Sequence, residues 1–298
     1  MSSAEHKVQS RTMLGIGYAM AGFSVFSVQD AVVKWLVTSL PVWEVLCIRS
    51  SLIVLIGLAI TGPRQVIALV HSPNRKALLI RSALILMAWL AYFTASRSLH
   101  LAELVTIYFS APIFVVILSI FVLKETVGLV RWGATLLGFA GVVVAAGPKS
   151  LVDPLPIALT LLAAFCWAWT HILVRMISQK ETTINMMLTS NGVVILVSVL
   201  PLPFVWVTPE WTGVLLIVGL GLVGALGQYL MFEGYRLAPA SAVAPFEYIT
   251  LIWAFGWGFL IWGDWPPQAV FEGAALILVS GFALIFAESW KSRQLARA

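Results

Sequence analysis

Apolar residues in this chain fall into ten long runs, each cut from the next by charged residues, proline or glycine. The runs lie near residues 12–37, 43–61, 76–97, 102–123, 129–147, 154–177, 183–205, 212–235, 240–262 and 268–287. No stretch alternates apolar and polar positions as a half-buried strand would. A helix rises about 1.5 Å per residue, so roughly 20 apolar residues cross a hydrocarbon core about 30 Å thick. The pattern predicts an all-α polytopic membrane protein with ten transmembrane helices. The short polar N-terminus, residues 1–11, lacks a small-residue cleavage site and reads as a retained tail; residues 288–298 read as a C-terminal tail.

Composition agrees with this reading: 60% of the 298 residues are hydrophobic and 10% are charged. The formal charge of +5 does not gather into a stripe that would suit nucleic acid. It sorts by side instead. Lys7, Arg11, Arg64, Arg75, Lys76, Lys124, Arg131, Arg175, Lys180, Arg236, Lys291, Arg293 and Arg297 fall on one side of the ten-helix layout, and Lys34, Arg97 and Lys149 on the other. Basic residues concentrate on the cytoplasmic side, so both termini are expected there, in an inner (plasma) membrane of bacterial type. Trp35, Trp43, Trp206, Trp211, Trp262 and Trp265 cluster at the opposite helix ends, where an amphipathic ring suits the headgroup layer.

The chain also repeats itself. GATLLGFAGVVV, beginning at Gly133, recurs as GAALILVSGFAL, beginning at Gly273. Laying Lys34 over Arg175 aligns GYAMAGFSVFSVQDAVVK with ALTLLAAFCWAWTHILVR and sets Asp30 opposite His171. Each copy holds five helices, residues 12–147 and 154–287, and an odd number forces the second copy to enter the membrane in the opposite sense. Two inverted five-helix repeats around a central cavity are the expected architecture, and in secondary transporters the substrate site lies at such a repeat interface.

With its closing motifs, LKE followed by GATLLGFAGVVV and WGD followed by GAALILVSGFAL, the layout resembles the EamA branch of the drug/metabolite transporter superfamily across nearly the whole chain. The resemblance implies export or exchange of small metabolites, including amino acids, through a central cavity. Pro112 supplies a proline in the first repeat, whereas Tyr248, Ile249 and Thr250 stand near where the family commonly has one in the second.

Enzyme chemistry is not signalled. His6, His71, His100 and His171 lack metal-ligand spacing, and Cys47 and Cys166 sit in apolar runs, so neither a metal nor a cofactor is expected. GLGLVGALG, beginning at Gly219, sits in the eighth run, where small residues permit close helix packing. The candidates that remain are polar and aromatic residues inside the runs, because ionisable groups in a membrane are costly unless they serve a site or find a partner. Trp167 and His171 share a helical face, and Trp169 points elsewhere. Asp30, Gln228 and Glu247 offer charge and an amide to a zwitterion; Tyr92, Tyr229, Trp89 and Tyr108 offer aromatic walls. Arg49 reads as a structural charge pair or a carbonyl-bound cation.

The expected function is alternating-access export of amino acids, aromatic or other neutral ones included, or of related small metabolites. The alternatives are a multidrug or other metabolite exporter of the same superfamily, and a membrane enzyme or lipid-handling protein. The expected partners are a small-molecule substrate and the bilayer, not nucleic acid; the sequence leaves the oligomeric state open, and a monomer is compatible with it.

Overall fold

The computed structural model describes residues 3–70, 72–124, 129–146, 153–177, 181–237, 247 and 249–295. Among them every regular element is a helix: α1 (Ser3–Leu36), α2 (Val42–Thr61), α3 (Arg64–Val70), α4 (Arg75–Ala95), α5 (Leu101–Tyr108), α6 (Ala111–Leu123), α7 (Leu129–Ala146), α8 (Pro154–Ile177), α9 (Thr183–Ser198), α10 (Leu202–Val205), α11 (Trp211–Leu237), α12 (Ile249–Trp262) and α13 (Gln268–Leu295). Met13–Leu36, Val42–Thr61, Arg75–Ala95, Leu101–Val122 and Trp211–Met231 are long and apolar enough to cross a membrane. Shorter apolar helical stretches, Leu136–Ala145, Pro154–Thr170, Thr183–Ser198, Ile249–Trp262 and Gln268–Ala283, occupy the other five runs.

The helices depart from the apolar runs where backbone chemistry overrides hydropathy. The fourth run is split at Phe109 and Ser110 into α5 and α6. Pro112 lacks an N–H and would press on the carbonyl of Tyr108 in a continuous helix, so the chain restarts with proline in the first turn of α6. Pro201 and Pro203 likewise stop the seventh run, so α9 ends at Ser198 and only the short α10 follows. Conversely, α1 and α13 run through most of the segments expected to be tails. No glycine or proline interrupts residues 3–14 or 282–295, and a helix stops at a breaker whereas a span stops at the water boundary.

Burial is inverted relative to a water-soluble domain. Glu44 and Arg49 are fully buried, and Arg81 and Glu103 nearly so, while Leu55, Ile60, Phe121, Leu196, Ile252 and Leu260 lie more than half exposed on the outer surface. Exposed apolar area on this scale marks a surface made for lipid.

Packing partners exchange between the two halves of the chain. α1 packs on α11 and α4 on α8; α6 packs on α8 and α12 on α1; α4 packs on α9 and α11 on α2. α2 pairs with α9, and α7 with α13. Glycine makes the tightest of these contacts. A Cβ on Gly22 would lie 2.7 Å from the Met231 backbone nitrogen, one on Gly234 2.8 Å from the Ala19 nitrogen, and one on Gly141 2.7 Å from the Gly273 carbonyl oxygen. With lipid as apolar as leucine, such backbone approach supplies the dispersion contact that holds helices together. Gly138 and Gly141 thus give α7 a packing face.

At one end of the bundle Lys34 Nζ donates to the Leu99 carbonyl at 2.6 Å and lies 5.3 Å from the centre of the Trp262 ring, while His100 Nδ1 sits 2.8 Å from Asp264 Oδ2. These contacts tie α1, the α4–α5 turn and the end of α12. At the opposite end the Glu181 carboxylate accepts from Ser72 Oγ and from Asn74 and Asn185 Nδ2 at 3.2 Å. Burial pushes the Glu181 carboxyl up, but the hydrogen bonds from Ser72, Asn185 and Asn74 outweigh it and hold it below the usual carboxylate range. A depressed folded-state value stabilises fully above the unfolded value and is lost as pH falls through the folded one. The doubly substituted Ser72→Ala, Asn74→Ala protein should accordingly show weaker acid sensitivity of unfolding across the carboxylate range; an acid profile identical to wild type would rule this tie out as a source.

Candidate functional site

Six helices meet around a cavity of ≈ 110 Å³, and three of them contribute several side chains at helical spacing. α1 supplies Phe23, Phe26, Gln29 and Asp30; α4 supplies Trp89, Tyr92 and Phe93; α5 supplies Val105 and Tyr108, with Phe109 at its end. Trp167 of α8, Met231 of α11, Glu247 and Thr250 close the remaining side. Spacings of three and four put these residues on one face of each helix.

The charge in this cavity is acidic. Asp30 and Glu247 carry its two carboxylates, and Tyr92 lines the cavity with them. The Tyr92 and Tyr108 rings meet edge to face, 5.1 Å between centroids. Aromatic faces carry negative potential that attracts cations, so a cation entering here meets two carboxylates inside an aromatic wall. The neutralising charge lies behind that wall. Arg49 is fully buried, its Nη2 donates to Gln29 Oε1 at 2.9 Å, and its guanidinium carbon lies 4.3 Å from the centre of the Trp89 ring. It also interacts electrostatically with Asp30. Glu44, on the same helix, does not pair with Arg49; its Oε2 accepts from the Val207 N–H at 3.1 Å.

Of the residues singled out in the sequence, Asp30, Trp89, Tyr92, Tyr108, Trp167 and Glu247 are brought together in this cavity. Gln228 and Tyr229 are not. Gln228 is buried, and its amide oxygen faces α9, where Asn191 Nδ2 approaches to 3.5 Å. Tyr229, one residue and about 100° further round the helix, points outward and is 46% exposed. The side chain of His171 lies outside the described residues, as does Tyr248. Trp169 packs against Leu118, Ala168 and Ile172, away from the cavity. Phe23, Phe26, Gln29, Phe93, Phe109 and Met231 line the cavity without having stood out in the sequence. Asp30 would have found three of them, since Phe23 and Phe26 lie seven and four residues before it on the same face and Gln29 lies beside it.

A larger cavity, ≈ 650 Å³, opens at the helix ends between Val37–Trp43, Thr94, Arg97, Val205 and Val207. It holds neither of the two carboxylates and little of the aromatic wall, so the smaller, enclosed cavity is the candidate site.

Gly224 of α11 backs the Arg49–Gln29 contact. A Cβ there would stand 2.9 Å from Gln29 Oε1 and 3.1 Å from Arg49 Nε, whereas nothing lies within 4 Å of one on Gly219. Gly224→Ala should lower stability by about 1–3 kcal/mol and Gly219→Ala should not, in thermal unfolding of the detergent-purified proteins. Equal melting of the two variants would contradict this packing.

The sequence pattern of the EamA-like transporter family matches residues 13–147 and again 154–286. The chain belongs to the EamA-like transporter family. It is similar to the S-adenosylmethionine uptake transporter of Rickettsia bellii, 27% identical over 92% of this chain and 94% of that one. The pseudopaline exporter of Pseudomonas aeruginosa is 27% identical over 91% and 95%, and the riboflavin transporter of Vibrio cholerae 31% identical over 65% and 64%. A solved crystal structure covers 96% of this chain and 99% of its own with a TM-score of 0.64 at 17% identity, which shows a shared fold. The chain is thus a multi-pass membrane transporter of small metabolites, not an enzyme. The relatives are named for S-adenosylmethionine, pseudopaline and riboflavin, which agrees with the small metabolites expected from sequence but not with amino-acid export in particular, and they include both uptake and export.

Proposed function

We propose that this EamA-family protein carries a cationic or zwitterionic amino-acid derivative with a flat apolar group, S-adenosylmethionine being the first compound to test. The observation that carries the reading is the convergence of Asp30 and Glu247 inside an aromatic wall built from Trp89, Tyr92, Tyr108 and Trp167. A sulfonium or ammonium centre is attracted both by carboxylates and by ring faces, and a purine ring stacks on the same faces. Similarity to the Rickettsia transporters supports this choice within the wider class of amino acids and related metabolites.

Transport proceeds by alternating access between the halves 12–147 and 154–287, taken as inverted repeats with both termini cytoplasmic. The exchanged packing partners support the repeat, and the distribution of basic residues supports the orientation. The cavity is small, so a metabolite enters only as the halves part.

Purified protein in liposomes preloaded with unlabelled S-adenosylmethionine should take up labelled S-adenosylmethionine by exchange. A parallel panel of neutral and aromatic amino acids, riboflavin and lipophilic cations, run with and without a pH gradient, identifies the competing substrates and any proton coupling. Uptake no greater than in empty liposomes for S-adenosylmethionine and for every amino acid would overturn the reading. Flux confined to lipophilic cations would assign the protein to drug export.

A further inference from the structure

Arg49 is the one cavity-adjacent group that the cation reading leaves unused. Its guanidinium is fully buried in α2, yet among the described residues only Nη2 has a hydrogen-bond partner; Nε and Nη1 have none. Buried donors left unmade are expensive, and a charged one is the most expensive kind. The group is separated from the cavity by two side chains that themselves line it, Gln29 and Trp89. Gln29 Oε1 stands 2.9 Å from Nη2, where a carboxylate oxygen would sit in an ion pair. The Trp89 ring stands beside the guanidinium, its centre 4.3 Å from Arg49 Cζ.

We propose that Arg49 is the carboxylate-recognition residue of the transporter: the substrate's carboxylate takes the place of Gln29 Oε1 on the guanidinium while its cationic centre goes to Asp30. This deepens the proposed function and rests on it. Without substrate, Arg49 and Asp30 act on one another across the wall without pairing directly. A zwitterion presents one charge to each, so the guanidinium and the carboxylate both gain a direct partner. A fork of N–H donors matches a carboxylate in two places, which lysine cannot do. The device discriminates against cations that lack a carboxylate, because they would take Asp30 from Arg49 and leave the guanidinium unpaired.

The test compares S-adenosylmethionine with its decarboxylated counterpart, which keeps the sulfonium, the adenine and the amine and loses only the carboxylate. In liposomes wild type should prefer the carboxylated compound by about tenfold or more, the effect of one charge-assisted pair. In Arg49→Gln the ratio of the two fluxes should collapse toward unity, and in Arg49→Lys it should fall to an intermediate value. A purely structural arginine predicts that both fluxes drop in proportion with the ratio preserved, and that result overturns the proposal. Should Arg49→Gln fail to fold, Gln29→Ala removes the competing acceptor instead and should raise the wild-type preference; a lowered or unchanged ratio counts against the proposal. Equal wild-type flux of the two compounds overturns it with no variant at all; with flux of neither, the same comparison is made between a carried amino acid and its decarboxylated amine, and flux of no amino acid overturns the proposed function, and this inference falls with it.

Discussion

Asp30→Asn should cut transport of a cationic substrate by roughly tenfold to a hundredfold at matched protein density. The size follows from what is removed. A hydrogen bond to a charged group contributes about 1.5–3 kcal/mol, and 1.4 kcal/mol is tenfold in affinity. Asparagine keeps the volume and an acceptor oxygen, so the wall of the cavity survives. What disappears is the anion that a cation would meet and the counter-charge of Arg49. Initial rates in liposomes at matched protein density measure it. Unreduced flux would move the cation site away from α1 and leave Glu247 as the only carboxylate for the role.

Gly141→Leu should do the largest damage to folding rather than to transport. A Cβ at this position already lies 2.7 Å from the Gly273 carbonyl oxygen and 2.9 Å from Ile277 Cγ1, so the helices must separate before a larger side chain fits. Overpacking usually costs about 1–3 kcal/mol when side chains can shift; here the obstacle is backbone, which places the variant at the top of that range. The expected result is loss of the monodisperse species in detergent and a lowered melting temperature. Gly133→Leu, on the same helix with nothing within 4 Å of its Cβ, should behave as wild type. Equal tolerance of both substitutions would show that α7 and α13 do not meet as described.

The sequence made the helices and much of the cavity wall legible for different reasons. Apolar runs long enough to cross lipid announce themselves, and polar groups inside them are costly enough to mark themselves as well, which is why Asp30 and Glu247 could be picked out singly. Breaks within runs were partly legible: Pro112 named the place where α5 gives way to α6, but the stop at Ser198 was hidden in a run whose hydropathy continues through Val199 and Leu200. Facing was the weakest inference. Gln228 and Tyr229 are adjacent on α11, and nothing in their own helix says which direction holds α1, which holds α9 and which holds lipid. The glycines Gly221, Gly224 and Gly227 identify a buried stripe, but they line contacts with Leu52, with Gln29 and Arg49, and with Val25, not the cavity. Arg49 was legible as an expensive charge; its place behind Gln29 and Trp89 depends on three helices arriving together.

The glycine crossing of α7 and α13 has a mechanical consequence. Neither helix contributes a side chain to the cavity, and at Gly141 and Gly273 the two backbones approach closely. A joint of that kind resists sliding and separation but not tilting about the point of contact. On the alternating-access reading proposed above, it would serve as a fulcrum, and the parting of the walls around Asp30 and Glu247 would follow the angle through which the two halves turn at Gly141 and Gly273.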